Sequence, residues 1–107
     1  MNYQTITPAQ LAGRLEGGEL VRLIDVREPE EFALARIEGA ELLPLSRFRE
    51  WAGTLSPDEE IVVMCHHGIR SAQVCAYLAA QGFTKMFNLA GGIERWSGEV
   101  DAGVPRY

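Results

Sequence analysis

The sequence predicts an α/β domain built on a mainly parallel central sheet flanked by helices. Three observations point there. Short apolar runs alternate with stretches of helical period along the chain, the pattern of strand–helix repeats. The clearest run, "EIVVMC" at 60–65, is continuously apolar after Glu60, as expected of a central parallel strand covered on both faces. Gly17-Gly18, Gly82 and Gly91-Gly92 punctuate the helical stretches. At 107 residues, 47% of them apolar, the chain is expected to be a single domain over 1–107.

Each element has a local reason. In "TPAQLAGRLEGG" Thr7 can cap, Pro8 suits a first helical turn and Gln10 completes a capping box. Leu11 and Leu15 then share a face, and Gly17-Gly18 ends the helix. "LVRLIDV" is a strand. Pro29 opens a helical turn, "PEEFALA", with Phe32 as its expected anchor. "AELLPL" is a short extended piece, after which Ser46 is expected to cap a helix carrying Phe48, Trp51 and Ala52 on one side. "EIVVMC" leads into a helix from about Arg70 to Gln81, with Val74, Cys75, Leu78 and Ala79 at helical spacing. "KMFNL" is a further strand, and Gly91-Gly92 opens a last helix containing Ile93 and Trp96. Reactive groups of such sheets collect where strands end and helices begin, and Asp25, Cys65 and Gly91 all fall at that kind of edge.

Composition excludes several classes. A formal charge of -5 with no basic cluster argues against nucleic-acid binding. No secretory signal is visible, and the longest purely apolar run, Ile61 to Cys65, is too short to span a bilayer, so no membrane partner and a cytoplasmic location are expected. The two cysteines are then expected as thiols rather than a disulfide. A zinc set of Cys65, His66, His67 and Cys75 fits none of the usual ligand spacings, so no metal site is expected.

Both histidines lie beside one thiol in "VVMCHHGIRSAQ", at a strand-to-helix turn. The N–H groups of a helix's first turn lack intrahelical partners and, with the helix dipole, form an anion cradle. An ordinary thiol is only about 3% ionised at neutral pH, and such a cradle favours the thiolate. Gly68 lets the backbone bend, Arg70 adds a fixed cation at the rim, and His66 and His67 are expected to be mostly neutral at pH 7. Cys75 lies in the apolar stripe of the following helix and is expected in the core.

Four stretches, in order, resemble a single-domain rhodanese: "LIDVREPEEF", "RIEGAELLPL", "VVMCHHGIRSAQVCAYLAAQGF" and "LAGGIERW". The resemblance implies a small rhodanese-like domain and assigns the nucleophile to Cys65. It makes His66, His67, Gly68, Ile69, Arg70 and Ser71 the substrate-binding loop, whose amides would encircle the transferred sulfur. The implied reaction moves a sulfane sulfur from a small anionic donor such as thiosulfate, through a persulfide, to cyanide, a thiol or a protein sulfur acceptor, with no cofactor. The family often has histidine where this chain has Arg36, and His66 follows the cysteine where the family varies. Asp25, Arg27 and Glu28 match the first signature and are expected to form an ion-pair cluster near the sheet edge. Two other readings stay open: a sulfur carrier or regulatory module without turnover, and a cysteine phosphatase or arsenate reductase of related fold. The phosphatase pattern sets cysteine and arginine one residue further apart.

Overall fold

The computed structural model describes residues 2–107. Its strands are β1 (Gln4–Ile6), β2 (Arg22–Asp25), β3 (Glu41–Leu42), β4 (Ile61–Met64) and β5 (Met86–Leu89). The helices are α1 (Pro8–Glu16), α2 (Pro29–Leu34), α3 (Phe48–Trp51), α4 (Ile69–Ala80) and α5 (Gly92–Glu99). All five strands are parallel, in the order β1-β5-β4-β2-β3. Strand β4 is therefore central, as its continuous apolar run predicts, and all four of its residues are buried.

Alternation along β4 divides the core. Val63, and Cys65 just beyond the strand, pack with Trp51, Val74, Cys75 and Leu78 from α3 and α4. Val62 and Met64 point to the other layer, with Leu11 of α1 and Ile93 and Trp96 of α5. The capping box of Thr7 and Gln10 starts α1 as expected, with Gln10 N donating to Thr7 Oγ1 at 3.1 Å and Thr7 N to Gln10 Oε1 at 2.9 Å. No helix among the described residues is long and apolar enough to cross a membrane.

Several local expectations shift. Strand β1 had no sequence signal: only Ile6 of its three residues is buried, and its pairing with β5 bridges most of the chain length. Phe32 is half-buried rather than an anchor, for α2 buries none of its residues and the Arg36 guanidinium covers the Phe32 ring at 5.0 Å. Ser46 does not cap a helix. It sits inside a short 3-10 turn, Leu45–Arg47, and its hydroxyl donates to Glu28 Oε1 at 2.6 Å.

The expected acidic–basic cluster divides in the same way. Asp25 and Arg27 form a fully buried pair, with Arg27 Nη2 and Nε 2.7 and 3.0 Å from the Asp25 carboxylate oxygens. Glu28 stands outside it, bonded to Ser46 at the head of α2. Spare guanidinium N–H groups of Arg27 donate to Ala35 O at 2.6 Å and to Tyr107 Oη at 2.8 Å. One buried pair thus ties the end of β2, the end of α2 and the segment carrying Tyr107 together. Asp25→Asn leaves the Arg27 charge buried without its counter-ion, and we expect it to lower stability by about 3–5 kcal/mol. Urea unfolding followed by far-UV circular dichroism would measure it; an unchanged midpoint would show that water or another group compensates the guanidinium.

Candidate active site

Because every strand is parallel, the carboxyl ends of β2, β4 and β5 open onto one edge, and Asp25, Cys65 and Gly91 all lie there as the sequence predicts. The loop from Cys65 turns back at Gly68, whose φ of +95° serves as the N-cap conformation of α4. A Cβ at Gly68 would also press on Gly91 N at 3.3 Å.

Cys65 is 1% exposed, with its sulfur inside the loop. Gly68 N donates to Cys65 Sγ at 3.1 Å and Ser71 N donates at 3.4 Å, while Ser71 Oγ lies 3.3 Å away. The Ser71 hydroxyl donates to Asn88 Oδ1 at 2.5 Å, and Asn88 Nδ2 donates to Gly68 O at 3.1 Å. With its proton directed to Asn88, the hydroxyl oxygen can accept from the Cys65 thiol; turned around, the same proton can reach a thiolate. The loop's carbonyls face outward and are used as well. Cys65 O accepts from Ile93 N at 2.9 Å and His66 O from Glu94 N at 3.1 Å, both in the first turn of α5.

Arg70 stands at the rim but is not a free cation. It grips Glu31 with both arms, at 2.7 and 2.9 Å. Those bonds raise the Arg70 pKa further, and hold the Glu31 carboxyl down to about 2 against the opposing effect of burial. Tyr107 Oη also donates to Glu31, at 2.7 Å, and its ring stacks on His66 at 4.0 Å between centroids. His67 stacks on His66 at 3.9 Å. Burial, then the neighbouring His67, lower the His66 pKa, so His66 is mostly neutral at pH 7. His67 and Ile69 are exposed, and Ile69 faces outward at 69% exposure.

All the predicted loop residues thus belong to one turn, but only Gly68 and Ser71 reach the sulfur. Cys75 is buried in the core as expected, and burial pushes its thiol up to about 12. Three side chains were not anticipated. Asn88 had a readable signal, a polar residue inside an apolar strand run. Glu31 is one of two acids in the first turn of α2, with nothing in the sequence to single it out, and Tyr107 carried no signal.

The fold and loop define a class: a parallel α/β domain presenting a cysteine within converging main-chain amides at the sheet's carboxyl edge. The chain belongs to the rhodanese-like domain family, whose pattern it matches over residues 7–99. It is similar to YtwF of Bacillus subtilis (41% identity, 94% of this chain and 96% of that protein). It is also similar to the thiosulfate sulfurtransferase GlpE of Actinobacillus succinogenes (34% identity, 98% and 91%). Among solved structures, the rhodanese-like domain protein of Staphylococcus aureus superposes with a TM-score of 0.82 at 31% identity, covering 97% of this chain and 98% of that one. Other curated relatives are longer, and the chain spans only 30% and 27% of two of them.

The Glu31 pairing has a pH signature. A carboxylate held near 2 against an ordinary value of about 4.3 contributes stability that is complete above pH ~4.3 and is lost as pH falls toward 2. We expect Glu31→Gln to cost on the order of 1–2 kcal/mol at neutral pH, after allowance for partial exposure, and the cost to vanish across that acid window. Chemical unfolding at a series of pH values would test this, and a wild-type-minus-variant difference constant with pH would contradict it.

Proposed function

We propose that the protein is a sulfurtransferase that carries a sulfane sulfur as a persulfide on Cys65. The observation that supports this reading is the pair of amide donors from Gly68 and Ser71 converging on Cys65 Sγ, which fits a thiolate or the outer sulfur of a persulfide. A loop with only four residues between Cys65 and Arg70 suits one sulfur atom better than a tetrahedral oxyanion. Kinship with a thiosulfate sulfurtransferase favours the same chemistry.

In the first step the Cys65 thiolate attacks the outer sulfur of the donor. A new S–S bond forms, the donor's own S–S bond breaks, and with thiosulfate the electron pair leaves on sulfite. The amides of the loop stabilise the sulfur anion without having to reorganise. In the second step an acceptor thiolate or cyanide attacks the outer persulfide sulfur. That atom departs as a new persulfide or as thiocyanate, and the electron pair returns to Cys65. Neither step needs a metal, an organic cofactor or an external oxidant. His66, His67 and Ile69 form the mouth of the loop in this reading, with Arg70 at its rim.

Cys65→Ser should abolish transfer while leaving the fold intact, since serine is close in size but cannot form the persulfide. Intact mass after donor treatment should show +32 Da on the wild type and no gain on the variant; transfer by the folded variant would overturn the assignment. Cys75→Ser should keep most activity, because a thiol held up at about 12 supplies almost no thiolate at neutral pH.

Arg70 and Glu31 make a paired test. If the guanidinium assists an anionic donor, Arg70→Ala should lower kcat/KM for thiosulfate about tenfold, the lower end for a charge-assisted hydrogen bond, since Glu31 already engages it. Glu31→Gln, which releases the guanidinium, should raise it. Equal losses in both variants would instead make the ion pair a positioning element for the loop.

A further inference from the structure

We propose that His66, His67 and Glu94 form a binding site for a divalent transition-metal ion of the zinc type at the mouth of the Cys65 loop. One ligand atom from each of the three side chains lies within 4.8 Å of the others. The set differs from the combination of Cys65, His66, His67 and Cys75 that ligand spacing argues against. Here α5 supplies the third ligand, Cys75 is in the core, and Cys65 Sγ is engaged by the loop amides.

His66 carries the argument furthest. Its Nε2 is shielded from solvent and lacks a hydrogen-bond partner, alone among the buried side-chain polar atoms of the described residues. Such an atom calls for an explanation, because burying an unsatisfied polar group is costly. The nearest carboxylate oxygen, Glu94 Oε1, is 3.9 Å away, too far for a hydrogen bond. It is close to the spacing of two ligands on one ion, since bonds of ~2.0–2.1 Å in tetrahedral geometry set ligand atoms about 3.4 Å apart.

The surroundings hold two of the ligands in place. Tyr107 stacks on one face of the His66 ring. Glu94 N donates to His66 O at 3.1 Å, which fixes the two backbones against each other. The second carboxylate oxygen of Glu94 forms an ion pair with Arg106, 3.1 Å from its Nε, an outer partner that holds the ligand's orientation. His67 is exposed, so its ring can swing from the His66 stack to close the remaining distance. Two imidazoles and one carboxylate match zinc, copper(II) or nickel(II) better than magnesium or calcium, which prefer all-oxygen shells. A dication there would return positive charge to a rim where Glu31 has already neutralised Arg70.

The test is direct binding and does not depend on sulfur transfer. Zinc(II) would be titrated by equilibrium dialysis near neutral pH into the wild type and into Cys65→Ser, in which the loop thiol cannot be a ligand. Cobalt(II) absorption would report the ligand type. We expect one ion per chain in both proteins, no thiolate-to-metal charge-transfer band, and affinity reduced about tenfold or more in each of His67→Gln and Glu94→Gln. Both substitutions lie at partly or fully exposed positions, and circular dichroism would verify that the variants are folded. The proposal is overturned if no saturable site is found, if binding is lost in Cys65→Ser, or if folded His67→Gln and Glu94→Gln bind zinc as tightly as the wild type.

Discussion

A peptide unit points its N–H and its C=O in opposite directions. A loop that turns N–H groups inward onto a sulfur atom must therefore find donors for the carbonyls it turns outward. In this protein the first turn of α5 meets that need, with Ile93 and Glu94 donating to the carbonyls of Cys65 and His66. The contact is so close that a Cβ at Gly92 would lie 2.4 Å from both carbonyl oxygens, and Gly92 adopts a φ of +60° besides. Asn88 performs the same service for Gly68 O and holds the Ser71 hydroxyl beside the sulfur. The cradle is thus an outcome of how α5 and β5 dock against the loop, as much as of the loop's own residues.

That docking changes how charge reaches the sulfur. The guanidinium groups around the edge each have a carboxylate partner: Arg70 with Glu31, Arg27 with Asp25, Arg106 with Glu94 and Arg95 with Glu99. The groups that aim at the Cys65 sulfur from contact distance are main-chain N–H dipoles of Gly68 and Ser71, fixed by the fold. Exposed side-chain charges act more weakly through solvent and salt. Tyr107 joins the two arrangements, bonding Arg27 and Glu31 while its ring covers His66.

The architecture was legible because its signals are local and redundant. Strand β4 announced its central position by an unbroken apolar run, and α1 its start by Thr7, Pro8 and Gln10. Legibility failed where an element owes its existence to distant partners. Strand β1 is three residues at a sheet edge with one buried side chain, and without β5 nothing distinguishes it from a loop. Ser46 has the chemistry of a helix cap, but Glu28, eighteen residues earlier, takes its hydroxyl.

The sequence alone determined the α/β alternation, the strand-to-helix turn that presents Cys65, and the core position of Cys75. Hydrophobic period, cap chemistry and glycine placement are properties of neighbouring residues. Only the tertiary structure decided that Arg70 is paired, that Asn88 holds Ser71, and that Tyr107 and Glu94 stand against His66. The physical reason is the strand order. Placing β5 and β2 on either side of β4 brings α5 and α2 to the same edge as the loop. Side chains separated by tens of residues then compete for the same few protons, a competition no window along the chain contains.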